Sequence, residues 1–187
     1  MSTDESLRYP IGKYQPPASI SPEQRVAWIN TIEALPEQLK QAVSHLTETQ
    51  LDTPYRPGGW TVRQVVHHLP DSHMNSYVRF RLALTEEMPT IKPYHEAQWA
   101  ELPDAKTGPI GPSLLILEGL HARWTALLRT FDDRAFARAM RHPEWGEMRL
   151  DWVLGLYAWH CEHHLAHVRV STSIGEPIDL LSSLRGI

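Results

Sequence analysis

The chain carries one cysteine, Cys161, in 187 residues. An internal disulfide and any Cys-rich zinc module are therefore excluded. Positive charge is not in excess: 18 Lys and Arg stand against 22 Asp and Glu, a formal charge of −4. A phosphate-binding surface would be clearly basic, and the arginines here are scattered, so nucleic acid is not an expected partner. No apolar run reaches the ~18 residues that read as a membrane span. The opening MSTDESLRYP lacks the basic-then-apolar pattern of a secretory signal. A cytoplasmic protein with no membrane contact is the expectation. Internal repeats, low-complexity stretches and sustained β-alternation are missing as well.

Histidine is what the chain has in plenty, with eleven residues. They cluster: His67, His68 and His73 in one stretch, and His160, His163, His164 and His167 in another. Imidazole titrates near neutrality and is the commonest metal ligand, so this clustering is the first chemical clue.

The apolar pattern is helical throughout. Residues 1–20, with Pro10, Pro16 and Pro17, read as an extended arm lying on a single domain that spans 1–187. Ser21-Pro22-Glu23-Gln24 is a helix start, followed by Val26, Ile29, Ile32, Leu39, Val43 and Leu46 at helical spacing. Pro36 is expected to kink or break this helix near Leu35. Thr61-Val62-Arg63-Gln64 is a capping box, and the helix behind it should reach about Glu87, with a kink at Pro70. Residues 88–112 hold five prolines and form a long connection, of the kind that often covers a functional site. A short helix is expected within it around His95–Leu102. Ser113 is expected to cap a third long helix. Residues 131–148 hold either a short helix over Asp132–Met140 or a small hairpin. The last long helix runs from about Arg149 to Ser173, and the remainder reads as a tail. Four long amphipathic helices joined by long and short connections predict an all-α four-helix bundle.

On the last helix His160 and His164 lie one turn apart, inside the apolar stripe with Val153, Leu156 and Tyr157. Two imidazoles at i and i+4 can converge on one metal. A metalloprotease motif is excluded, because Cys161 stands where H-E-x-x-H needs glutamate and His163 where H-x-x-E-H needs it. The third ligand must come from another helix, and His67 is the best candidate, on the side to which Val66 and Met74 are assigned. His68 is assigned outward or to a structural hydrogen bond, and His73 and His121 to structural roles. Asp71 is placed to orient a ligand's free ring nitrogen. Glu118 and Glu147 are the carboxylates considered as a general base. Cys161 reads as a small core residue, and Trp60, Trp152 and Trp159 as packing. Three neutral imidazoles suit zinc, nickel or a similar divalent ion and leave positions open. Water there could become hydroxide near neutral pH, or a thiol could bind as thiolate. The spacing does not choose between them.

The stretches Gly58-Gly59-Trp60-Thr61-Val62-Arg63-Gln64-Val65-Val66-His67-His68-Leu69 and Asp71-Ser72-His73-Met74-Asn75 resemble the YfiT branch of the DinB-like superfamily. So do Pro89-Thr90-Ile91-Lys92-Pro93-Tyr94, Leu156-Tyr157-Ala158-Trp159-His160, His163-His164-Leu165-Ala166-His167 and the N-terminal Leu7-Arg8-Tyr9-Pro10-Ile11-Gly12-Lys13. The resemblance spans nearly the whole chain and departs from the branch at Pro70. It implies a DinB/YfiT-like four-helix bundle with one divalent metal per subunit, zinc by assignment, held by His67, His160 and His164. It implies a cytoplasmic homodimer acting as a metal-dependent hydrolase on a small-molecule substrate. The related bacillithiol transferases imply the alternative of thiol S-transfer. A non-catalytic metal-binding stress protein is the alternative of another class.

Overall fold

The computed structural model describes residues 3–174. In chain order the elements are α1 (Thr3–Arg8), α2 (Pro22–Val43), α3 (Glu48–Leu51), α4 (Val62–Thr85), α5 (Glu96–Trp99), α6 (Pro103–Thr107), α7 (Gly111–Leu128), α8 (Asp133–Ala137), β1 (Ala139–His142), β2 (Gly146–Arg149) and α9 (Leu150–Ile174). The four long helices form the bundle. The expected tail beyond α9 lies outside the described residues.

Local chemistry sets the helix starts. The Ser21 hydroxyl accepts from the Gln24 N–H at α2, with Pro22 in the first turn. Thr61 and Gln64 complete the capping box at α4. Neither internal proline ends its helix: α2 continues through Pro36 and α4 through Pro70. Each proline still lacks an N–H, so the carbonyl four residues earlier loses its helical partner. For Pro36 that carbonyl belongs to Ile32.

α2 packs on α9 and α7, and α4 packs on α7 and α9. The successive long helices α2 and α4 thus sit across a diagonal. Ile32, Leu35 and Leu39 of α2 meet Leu117, Trp124 and Leu128 of α7 in the core, all at most 1% exposed. Burial of such side chains contributes roughly 1.5–3 kcal/mol each. Cys161 joins this core, and burial pushes its thiol well above the ordinary range, as befits a packing residue.

Several connections differ from the sequence reading. The N-terminal arm opens with the helix α1 and then lies along α9. Gly155 permits this approach: a Cβ there would sit 2.6 Å from the Tyr14 hydroxyl and 2.8 Å from the Trp28 ring. Tyr14 donates to the Trp152 carbonyl (3.3 Å) and the Trp159 ring N–H to the Gly12 carbonyl (3.1 Å). Helix α7 begins at Gly111, so Ser113 lies inside its first turn rather than at its cap. The 131–148 segment contains both expected alternatives: α8, then an antiparallel β1–β2 ladder pairing Ala139 with Arg149 and His142 with Gly146. Pro89 and Ile91 bond to Arg141 and join the long connection to the hairpin. Among the described residues no helix is long and apolar enough to cross a membrane.

Candidate metal centre

Helix α9 presents His160 and His164 toward α4, as its periodicity predicts. The α4 residue that meets them is His68, not His67. One ligand atom each from His68, His160 and His164 falls within a 4.8 Å set. The Nε2 atoms of His68 and His160 lie 3.3 Å apart.

His67 is turned away. Its Nδ1 is 2.7 Å from the Ser113 hydroxyl and its Nε2 is 3.3 Å from the Gly108 carbonyl. The reason is helical phase. The buried stripe of α4 is set by Val62, Val65, Leu69, Phe80 and Ala83, each at most 1% exposed, whereas Met74 is 41% exposed. At 100° per residue, His67 lies about 170° from the centre of that stripe, and His68 falls on the flank shared with Ser72. The structure therefore brings His68, and not the expected His67, together with His160 and His164. His73, set aside as structural, sits inside the stripe and is fully buried.

The three converging imidazoles are neutral near pH 7. Burial pushes His68 down to about 4. It also drives His160 and His164 well below the ordinary range, helped by the neighbouring rings. A neutral imidazole keeps one nitrogen lone pair, the form that binds a metal.

The nitrogens on the far side of these rings meet other imidazoles. His160 Nδ1 lies 3.0 Å from His73 Nε2; His73 Nδ1 lies 2.7 Å from His121 Nε2; His121 Nδ1 lies 2.6 Å from the Ile32 carbonyl. His164 Nδ1 lies 3.4 Å from His167 Nδ1, and His167 Nε2 lies 3.2 Å from the Arg8 carbonyl. Asp71, proposed from sequence for this orienting role, makes no hydrogen bond to a histidine among the described residues. It is half-buried near Asp104, and burial first, then that charge, raises it to about 6. His163, His164 and His167 form a second group with metal-ligand spacing, all on α9. There the Arg8 contact already engages His167.

The His68–His160–His164 trio lines a cavity of about 640 Å³. Trp60 and Trp159 line it too, so these two rings do more than pack. Trp60 rests on His68 with ring centres 4.7 Å apart, and Trp159 stacks on His163 at 4.4 Å. The long connection contributes Ile91, Pro93 and Tyr94, and the hairpin contributes Met140, Trp145 and Met148. The expected cover is thus present, and the hairpin extends it. Glu118 lies in a separate groove against α2, and Glu147 on the hairpin does not line the cavity. The carboxylates that do are Glu96 and Glu144. His163 Nδ1 is buried there without a hydrogen-bond partner.

A neutral, carboxylate-free trio of imidazoles at the edge of an open cavity defines a candidate divalent-metal site in a four-helix bundle. The family model described as the DinB superfamily matches residues 8–168, and the chain belongs to that superfamily. It is 58% identical over 167 residues to the protein named "Putative metal-dependent hydrolase YfiT" of Bacillus subtilis (strain 168), covering 89% of this chain and 94% of that one. It is 56% identical over 162 residues to a "Putative metal-dependent hydrolase" of Bacillus cereus (strain 03BB102), covering 87% and 93%. The solved structure of YfiT from Bacillus subtilis, described as "a probable metal-dependent hydrolase with an unusual four-helix bundle topology", matches with a TM-score of 0.88 at 56% identity, over 92% of this chain and 99% of that one. A second four-helix bundle protein, TT2238, matches with a TM-score of 0.53 at 20% identity, over 78% and 98%, and supports the fold alone.

Proposed function

We propose that the chain is a metal-dependent hydrolase whose single divalent metal is held by His68, His160 and His164. The observation that carries this is the convergence of three neutral imidazoles beside an apolar-walled cavity. The donor set fits: three nitrogens with no carboxylate and no thiolate suit zinc first and nickel second. When bound, such an ion acts as a Lewis acid and lowers the pKa of water at its open position.

The chain's own residues supply the rest. Trp60 and Trp159 give the small-molecule substrate flat apolar walls and limit water beside the trio. Glu96 and Glu144 are the carboxylates available in the cavity for moving a proton. His163, pushed down to about 3 by burial and by His167, stays neutral beside the trio.

Thiol S-transfer is the second reading. It is favoured by the absence of any hydrogen bond between a carboxylate and the trio among the described residues, since a coordinated thiol deprotonates without a base.

Elemental analysis of the protein purified without an affinity tag should find about one divalent metal per chain, and His164→Ala should hold close to none. Turnover of activated esters and amides with and without added thiol then separates the two readings. Turnover that depends wholly on thiol would replace hydrolysis by transfer. Metal retained at full level in His164→Ala would sink both.

A further inference from the structure

We propose that His73, His121 and His167 are positioning residues that lock the tautomers of His160 and His164, through two imidazole chains that each end on a main-chain carbonyl. The inference rests on reading His160 and His164 as ligands, and it assigns the inner histidines of the bundle a task that ligation alone leaves unexplained.

The logic runs inward from the carbonyls. A carbonyl oxygen only accepts, so His121 must carry its proton on Nδ1 to meet Ile32 at 2.6 Å. His121 Nε2 is then an acceptor, and His73 Nδ1 must donate to it at 2.7 Å. His73 Nε2 is left with its lone pair and accepts from His160 Nδ1–H at 3.0 Å. The proton of His160 is thereby fixed on Nδ1, and Nε2, 3.3 Å from His68 Nε2, presents its lone pair to the site. The second chain repeats this. His167 donates from Nε2 to the Arg8 carbonyl, accepts at Nδ1 from His164, and leaves His164 Nε2 open.

Both terminal carbonyls are ones that their helices leave without a partner. Pro36 has no N–H for Ile32, so the fully buried Ile32 turn offers its oxygen to His121. Arg8 ends α1, and the Gly12 N–H that would have bonded it turns to the Tyr9 carbonyl instead, at 2.9 Å. The first chain crosses all four long helices: α9 at His160, α4 at His73, α7 at His121 and α2 at Ile32. The proline that reads as a helix breaker is the device that anchors it. Because every link is an imidazole and none a carboxylate, the ligands are oriented without neutralising the ion's charge, unlike the common carboxylate–histidine arrangement.

The test is two-bond ¹H–¹⁵N spectroscopy of the full chain labelled at histidine, before and after zinc addition. With metal removed, His73, His121, His160 and His164 should each show a single Nδ1–H tautomer, and His167 a single Nε2–H tautomer. His160 or His164 protonated on Nε2, or averaging between two forms, would overturn the proposal. His121→Phe should release His160 from its single tautomer, leave His164 unchanged, and weaken zinc binding roughly 10–100-fold. Pro36→Ala restores an N–H to compete for Ile32 in an otherwise better helix, so it keeps the fold if His121→Phe does not. It should produce the same tautomer averaging and a smaller loss of affinity. Unchanged zinc affinity in Pro36→Ala and in a folded His121→Phe would contradict a positioning role. Fixed tautomers with no zinc bound would uphold the lock and sink the metal reading. Zinc bound by averaging tautomers would do the reverse.

Discussion

The seam between α4 and α9 and the seam between α2 and α7 are built from different materials. The first is filled with imidazoles held neutral by burial: His68, His73, His160 and His164. The second is hydrocarbon and indole from Ile32, Leu35, Leu39, Leu117, Trp124 and Leu128, with its ion pair between Arg129 and Glu33 left at the surface, 2.6 Å long. Other pairs join a buried guanidinium to exposed acids, as Arg63 with Glu48 and Asp52 and Arg25 with Asp133 show. Among the side chains that fill the two seams charge is thus absent, while lone pairs are gathered in the first. One seam supplies stability, and the other supplies a place for a cation. The His121–Ile32 bond is where the polar seam reaches through the apolar one.

That contrast can be broken from either side. Leu39→Ala in the apolar seam should cost about 2–5 kcal/mol of stability through lost burial and a residual cavity. Metal content of the folded protein should stay at the parent level, read by urea unfolding beside elemental analysis.

Acid attacks the polar seam. Burial pushes His121 down to about 4, with the Ile32 bond opposing it, against about 6.5 in an unfolded chain. Between those values the unfolded chain binds a proton that the folded chain refuses, so stability is full above pH 6.5 and falls toward pH 4. This residue alone contributes a loss on the order of 3 kcal/mol, and the other buried histidines act in the same direction. Urea midpoints of the metal-free chain should be clearly lower at pH 4.5 than at pH 7; equal midpoints would show that these rings are not buried neutral.

Ser113→Ala tests the outer face of α4. It removes the partner of His67 and should cost on the order of 1 kcal/mol, with no change in metal content. Glu33→Ala is the smallest change, since half-exposed ion pairs are typically worth about 0.2–1 kcal/mol. A larger loss in a salt-insensitive denaturation series would show that the apolar seam depends on its rim.

The bundle was legible because its helices are long and periodic. The Ser21 and Thr61 caps, the four long segments and the i, i+4 pair on α9 all follow from local pattern. The hairpin was open to two readings because four-residue strands are too short to show a period. The α4 histidine that meets the pair on α9 lies one residue beyond the one expected. Met74, which is exposed, served beside the buried Val66 as a marker of the buried face, and 100° of helical phase separates His67 from His68. His73 and His121 were legible as structural, but the partners of His73, His121 and His167 had no local signal. Their roles depend on which carbonyl or ring faces them from another helix, and no spacing within one segment records that. Pro36 was visible as a backbone anomaly, but the acceptor it frees meets its donor 89 positions away.

Metal content in His67→Ala and His68→Ala, purified side by side with the parent and each checked for folding, tests the centre most directly. The account predicts about one divalent metal per chain in the parent and in His67→Ala, and close to none in His68→Ala. Full metal in His68→Ala with loss in His67→Ala would contradict it.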